Sequence, residues 1–179
     1  NPAVTQRNRR PSHVPLGAYE TAEQAASCDR TASRWMRSLD GTWKFRLYDG
    51  PDAVPADCCR EDYADGAWDD ITVPGNWELQ GHSGPIYTNS ALPFVITEED
   101  GDMTVDYKGE GVDREFHFRP DLRVGRVPKT NPTGCYRKIL SLDAIDAGFR
   151  YVLRFEGVET AYELYVNGAF VGYAEDSKL

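Results

Sequence analysis

With 179 residues, a formal net charge of −9, 40% hydrophobic and 12% aromatic residues, the chain is long enough for one domain with a real core and too apolar to be disordered. The acidic balance argues against nucleic acid or an anionic membrane surface as partner, because both need clustered Lys and Arg. No apolar run approaches the ~18 residues of a membrane span, and the polar, proline-broken start NPAVTQRNRRPSHVPLG holds no signal-peptide core, so the expected location is cytoplasmic.

Residues 1–36 read as an extended arm carrying a short helix. Pro2, Pro11 and Pro15 forbid a long helix at the start, and Arg7, Arg9 and Arg10 keep it solvated. Such an arm is either a flexible terminus or a strap that packs on another domain or subunit. Between residues 20 and 36, Thr21 is placed to cap a helix with Glu23 and Gln24 in its first turn, and Ala22, Ala25 and Ala26 favour it.

Residues 37–179 read as short strands separated by Gly and Pro turns. In SLDGTWKFRLYDGP, Trp43, Phe45 and Leu47 share one face of a strand, and Lys44 and Arg46 the other. A second strand, Trp68 to Val73, stops at Pro74-Gly75. Trp77 follows in a loop, and residues 85–89 are a short extended piece. Residues 97–130 are an acidic, glycine-interleaved insertion, long for a loop. It lacks the D-x-D-x-D-G frame of an EF-hand, so a solvated insertion is the better reading than a calcium site. Residues 133–142 alternate as a strand. Leu153 to Phe155 is read as another. Tyr162 to Val166 and Phe170 to Tyr173 flank Asn167-Gly168, whose positive-φ preference predicts a type I′ hairpin. Seven short strands with little helix predict an all-β, antiparallel sandwich, with a further strand expected beyond residue 179.

The residues alone favour binding over catalysis. No G-x-S-x-G, H-E-x-x-H, G-x-G-x-x-G or P-loop is present. Glu175 and Asp176 are neighbours in a strand and point to opposite faces, so they cannot flank one glycosidic bond. Cys28, Cys58, Cys59 and Cys135 form no C-x-x-C pair, and the three histidines are scattered, which argues against zinc and for reduced thiols. Trp68, Trp77, Tyr87 and Tyr173, with Asn76, Asn89 and Asp176, have the chemistry that recognises sugars. Each also has a structural alternative: core packing for the tryptophans, a turn for Asn89, and a loop-capping carboxylate for Asp176 ahead of Ser177.

Five motifs in order change that weighting. They are NPAVTQRNRRPSHVPLGAY, SLDGTWKF, VPGNWELQGHSGPIYTN, NPTGCY and GVETAYELYVNGAFVGYAEDSKL. Together they closely resemble the N-terminal sugar-binding domain of bacterial, LacZ-type β-galactosidases of glycoside hydrolase family two. The resemblance implies an antiparallel jelly roll, incomplete at its C-terminal edge, beside a TIM barrel that this chain lacks. It implies that Asn89, with Ser90 beside it, reaches the galactose pocket. It implies that Asp176 contacts galactose hydroxyls and helps hold a sodium ion. It places the catalytic glutamates and the magnesium ligands on the missing barrel, so this piece alone is expected to be inactive and to carry no catalytic residue. It further implies a homo-oligomeric parent acting on terminal β-galactosides, with the arm at subunit contacts. The acidic insert is longer than the family's usual link. The rival readings are a free-standing carbohydrate-binding module and a purely structural assembly domain.

Overall fold

A computed structural model describes residues 3–11, 17–84, 131–142 and 144–175. Within these lie six strands and one α-helix: β1 (Gln6–Arg7), α1 (Ala22–Ala26), β2 (Gly41–Tyr48), β3 (Asp69–Val73), β4 (Thr133–Arg137), β5 (Ala161–Val166) and β6 (Ala169–Glu175). They form two three-stranded antiparallel sheets, ordered β1-β6-β5 and β3-β2-β4. The little helix, the short strands and the antiparallel pairing are those of an all-β chain.

α1 starts where its cap predicts. The Thr21 hydroxyl accepts from the Gln24 amide, and the Gln24 side chain accepts from the Thr21 amide, which closes a capping box. The helix has no buried residue, so local chemistry and not packing defines it.

The β3-β2-β4 sheet carries the core. Trp43 pairs with Ile71, and Phe45 with Tyr136, so all four side chains share one face. Phe45 is 0% and Ile71 1% exposed. Around Phe45 stand Tyr136 (ring centroids 4.8 Å apart), His82 (4.6 Å) and Trp77 (5.9 Å). A Cβ added at Gly134 would come within 2.5 Å of the Trp77 ring and 2.8 Å of Phe45, so any larger residue here forces these rings to shift. Trp43 turns its indole N–H back to the Leu39 carbonyl, 2.8 Å away, while Gly41 takes a φ of +108° between them. At the open edge of β3, the Gln80 side chain imitates a strand. Its Oε1 accepts from the Thr72 amide (2.8 Å) and its Nε2 donates to the Thr72 carbonyl (3.0 Å).

The opposite face of this sheet is organised by Arg137. Its Nε donates to Asp65 Oδ2 (2.9 Å), and its Nη1 to the carbonyls of Cys58 (2.8 Å) and Arg60 (3.0 Å). Trp68, buried, and Tyr63 each lie within 6 Å of the guanidinium. The clamped loop in turn meets the tip of the β5–β6 hairpin. A Cβ on Gly168 would touch Arg60 Cα and the Cys59 carbonyl at 3.7 Å. Asn167 and Gly168 have φ of 49° and 77°, as a type I′ turn needs.

Three expectations are corrected. Leu153–Phe155 is not a strand: residues 151–155 are exposed, and among the described residues they pair with no strand in a ladder. β4 ends at Arg137 and not near Leu142, because its ladder with β2 ends at the Lys44–Arg137 pair and Lys138 instead donates its ammonium to the Thr42 carbonyl. The start of the arm packs on this chain itself, as an edge strand on β6. The extended piece at 85–89 and the insertion at 97–130 lie outside the described residues.

Candidate functional site

The three residues expected to touch sugar, Asn89, Ser90 and Asp176, lie outside the described residues, as does Tyr87. The strand that leads to Asp176 is described in full. β6 pairs with β5 through Glu175, and on its other edge the Glu175 amide donates to the Thr5 carbonyl at 3.1 Å. Tyr173 is half-buried and its hydroxyl donates to Glu175 Oε2 at 2.8 Å. Burial, and then that bond, push the Tyr173 hydroxyl's pKa up, so it stays a neutral donor.

Beside this strand end is a small hollow of ≈ 30 Å³. Arg9, Phe155, Tyr162 and Glu175 line it, with Gly157, Val158 and Ala174. Phe155 and Tyr162 pack at 5.1 Å. At that size the hollow holds a water or two and not a sugar ring.

The other aromatic candidates belong to the core. Trp68 is buried beneath Arg137 and edge-on to Tyr63 at 5.7 Å, so it is not a sugar platform. Trp77 packs on Phe45 and closes over Gly134. Asn76 is exposed, and its carbonyl accepts from Gln80 Nε2 at 3.4 Å. The features the sequence reading passed over are Arg137 and Asn8. A lone basic residue in an alternating strand carries no signal of a clamp. Asn8, by contrast, is one of the polar positions of the arm motif itself.

All four thiols are free. Cys58 and Cys59 Sγ lie 3.5 Å apart, and burial, followed by the neighbouring thiols, pushes Cys59 and Cys135 up to about 12. Both therefore stay protonated at neutral pH and act as small apolar groups, because the thiolate is the reactive and metal-binding form. Among the described residues, no group of three or more His, Cys, Asp or Glu is arranged to hold a metal ion, and no helix is long and apolar enough to cross a membrane.

Comparison with known proteins then places the chain. The family model described as "Glycosyl hydrolases family 2, sugar binding domain" matches residues 36–118 and 109–179. A β-galactosidase of Psychromonas ingrahamii is 36% identical over 179 residues, covering 100% of this chain and 15% of that protein. A β-galactosidase of Vibrio cholerae is 38% identical over 181 residues, again 100% of this chain and 15% of the relative. One of Alteromonas mediterranea is 36% identical over 184 residues with the same coverage. The chain thus spans about 15% of the length of the curated relatives it matches. It belongs to the sugar-binding domain family of the family 2 glycosyl hydrolases.

Proposed function

We propose that this chain is the sugar-binding part of a β-galactosidase that hydrolyses terminal, non-reducing β-D-galactose residues of lactose-type substrates. The observation that carries this reading is the family match together with identity to β-galactosidases along the whole chain. In this reading Asn89, Ser90 and Asp176 form one wall of the galactose pocket. The reaction is retaining hydrolysis, which needs two carboxylates about 5–5.5 Å apart; both glutamates, with the magnesium ligands, belong to a barrel outside this chain.

The two small antiparallel sheets support a jelly roll as the complete architecture. Partnership with further protein is supported by large apolar side chains at the surface: Ile139 is 91% and Ile145 76% exposed, and Phe149 and Tyr151 are exposed as well. A homo-oligomeric, cytoplasmic parent completes the proposal. Sodium at Asp176 is carried over from the family's motif, and the chemistry is compatible with it, since a carboxylate is a hard oxygen ligand that can also accept from sugar hydroxyls.

The test uses the polypeptide that carries this chain and hydrolyses a nitrophenyl β-galactoside. Asp176→Asn is expected to raise KM strongly and to abolish its dependence on sodium. A variant with the parent's KM at every sodium concentration overturns the assignment.

A further inference from the structure

The arm does more than cover an edge. Gln6 and Arg7 pair with Ala174 and Tyr173, and Thr5 takes the Glu175 amide. At the next residue the chain turns sharply: Asn8 has a φ of 55°, a left-handed value that Asn tolerates better than most residues. There its Nδ2 donates to the Val171 carbonyl at 2.7 Å, across 163 residues of sequence.

Val171 is a special position in β6. Leu164 pairs with Gly172 and Tyr165 with Phe170, so Val171 is an extra residue, a β-bulge. Its neighbour Gly172 is shaped for the arm: an added Cβ would lie 2.9 Å from the Arg7 carbonyl and 3.7 Å from Asn8 Cβ. The arm therefore recognises the bulge twice, by a donor aimed at Val171 and by the space left at Gly172. Were the bulge to move by one residue, every side chain between its old and new positions would change face.

We infer that Asn8 is a positioning residue for sugar binding: it locks the arm on the Val171 bulge, so that β6 keeps a single register up to Glu175, the residue before Asp176. The inference rests on the reading of Asp176 as a galactose contact. The lock acts through the strand and touches no reacting atom, so its loss weakens substrate and transition state alike. KM rises and kcat is kept.

The experiment uses the galactoside-hydrolysing polypeptide with three variants side by side. Asn8→Asp accepts the left-handed backbone but cannot donate to a carbonyl at neutral pH. Gly172→Ala fills the space the arm needs. Asp176→Asn tests the underlying site. The expected result is a rise in KM of up to about three- to tenfold for Asn8→Asp, with kcat held: losing one hydrogen bond lowers the population of the binding-competent register by at most that factor, and Gly172→Ala should raise KM at least as much. If Gly172→Ala does not fold, Asn8→Asp decides alone. An unchanged KM in Asn8→Asp beside a raised KM in Asp176→Asn overturns the positioning role and leaves the site standing. A lowered melting temperature in Asn8→Asp without a change in KM makes the contact structural only and also overturns it. Unchanged KM in all three removes the site assignment, and the inference with it.

Discussion

Arg137 ties β4 to the loop at residues 58–65, and its removal should be costly. It holds Asp65 at 2.9 Å and two loop carbonyls at 2.8 and 3.0 Å, with the Glu61 carbonyl at the longer 3.4 Å. Its side chain is 22% and that of Asp65 30% exposed. Breaking a fully buried ion pair costs about 3–5 kcal/mol, and an exposed one about 0–1. A pair at this depth, with two good carbonyl bonds added, should lie between, so Arg137→Ala is expected to cost about 2–3 kcal/mol. Arg137→Lys keeps the charge but replaces a planar fork by a single point, and should still cost about 1–2 kcal/mol. Urea unfolding followed by tryptophan fluorescence measures both, since Trp68 lies beside the guanidinium and reports on the loop. Asp65→Asn, alone and combined with Arg137→Ala, separates the ion pair from the carbonyl bonds. The reasoning is refuted if Arg137→Ala shifts stability by less than about 0.5 kcal/mol, the range of an ordinary surface substitution.

Gly134→Ala places a methyl group 2.5 Å from the Trp77 ring and should destabilise by about 1–3 kcal/mol, with altered near-ultraviolet dichroism as Trp77 leaves Phe45. Gln80→Ala unties both Thr72 bonds at the edge of β3 and should cost about 1–2 kcal/mol in thermal unfolding, with Gln80→Glu failing to restore the bond its amide donates. Stability should also fall in alkali. Cys59 and Cys135 are pushed from about 9, and Tyr48 from about 10, up to about 12, chiefly by burial. Raised values favour the neutral forms in the fold, so the contribution is intact below pH 9 and is lost as pH rises from 9 towards 12. A Cys59→Ser/Cys135→Ser variant should show a shallower fall between pH 9 and 11 in denaturant titrations.

Where a local rule sets the backbone, the sequence was readable. Thr21 and Gln24 announce a helix start, Asn167-Gly168 a type I′ turn, and the Trp43–Phe45–Leu47 alternation the core face of β2. What failed were segments whose state depends on a neighbour. Leu153–Phe155 has the residues of a strand, but ladder bonds need a second chain segment alongside, and apolar alternation cannot supply one. β1 was hidden for the opposite reason: two residues, Gln6 and Arg7, flanked by prolines, carry no periodicity, and only the free edge of β6 makes them a strand. The aromatic candidates illustrate a third limit. Trp68 and Trp77 have equal chemistry for sugar faces and for cores. The guanidinium over one and the Phe45 ring against the other decide the matter, and both contacts are distant in sequence.

The five motifs divide by the work their residues do. Gly41, Trp43, Trp77, Gly134, Asn167 and Gly168 all meet a packing or backbone demand in the fold. β6 is different. Its inward residues at Gly172 and Ala174 are small, so side-chain packing gives it little to hold register by. Its register is fixed from outside instead. The type I′ turn sets one end, the loop clamped by Arg137 braces the turn at Gly168, and the arm closes the free edge at Asn8 and Thr5. A strand that merely completed a sheet would gain its register more cheaply from larger side chains, as β2 does with Phe45. Small residues held by three external constraints make sense if the space beside β6 must be kept for the arm, which then holds the strand in one register up to Glu175.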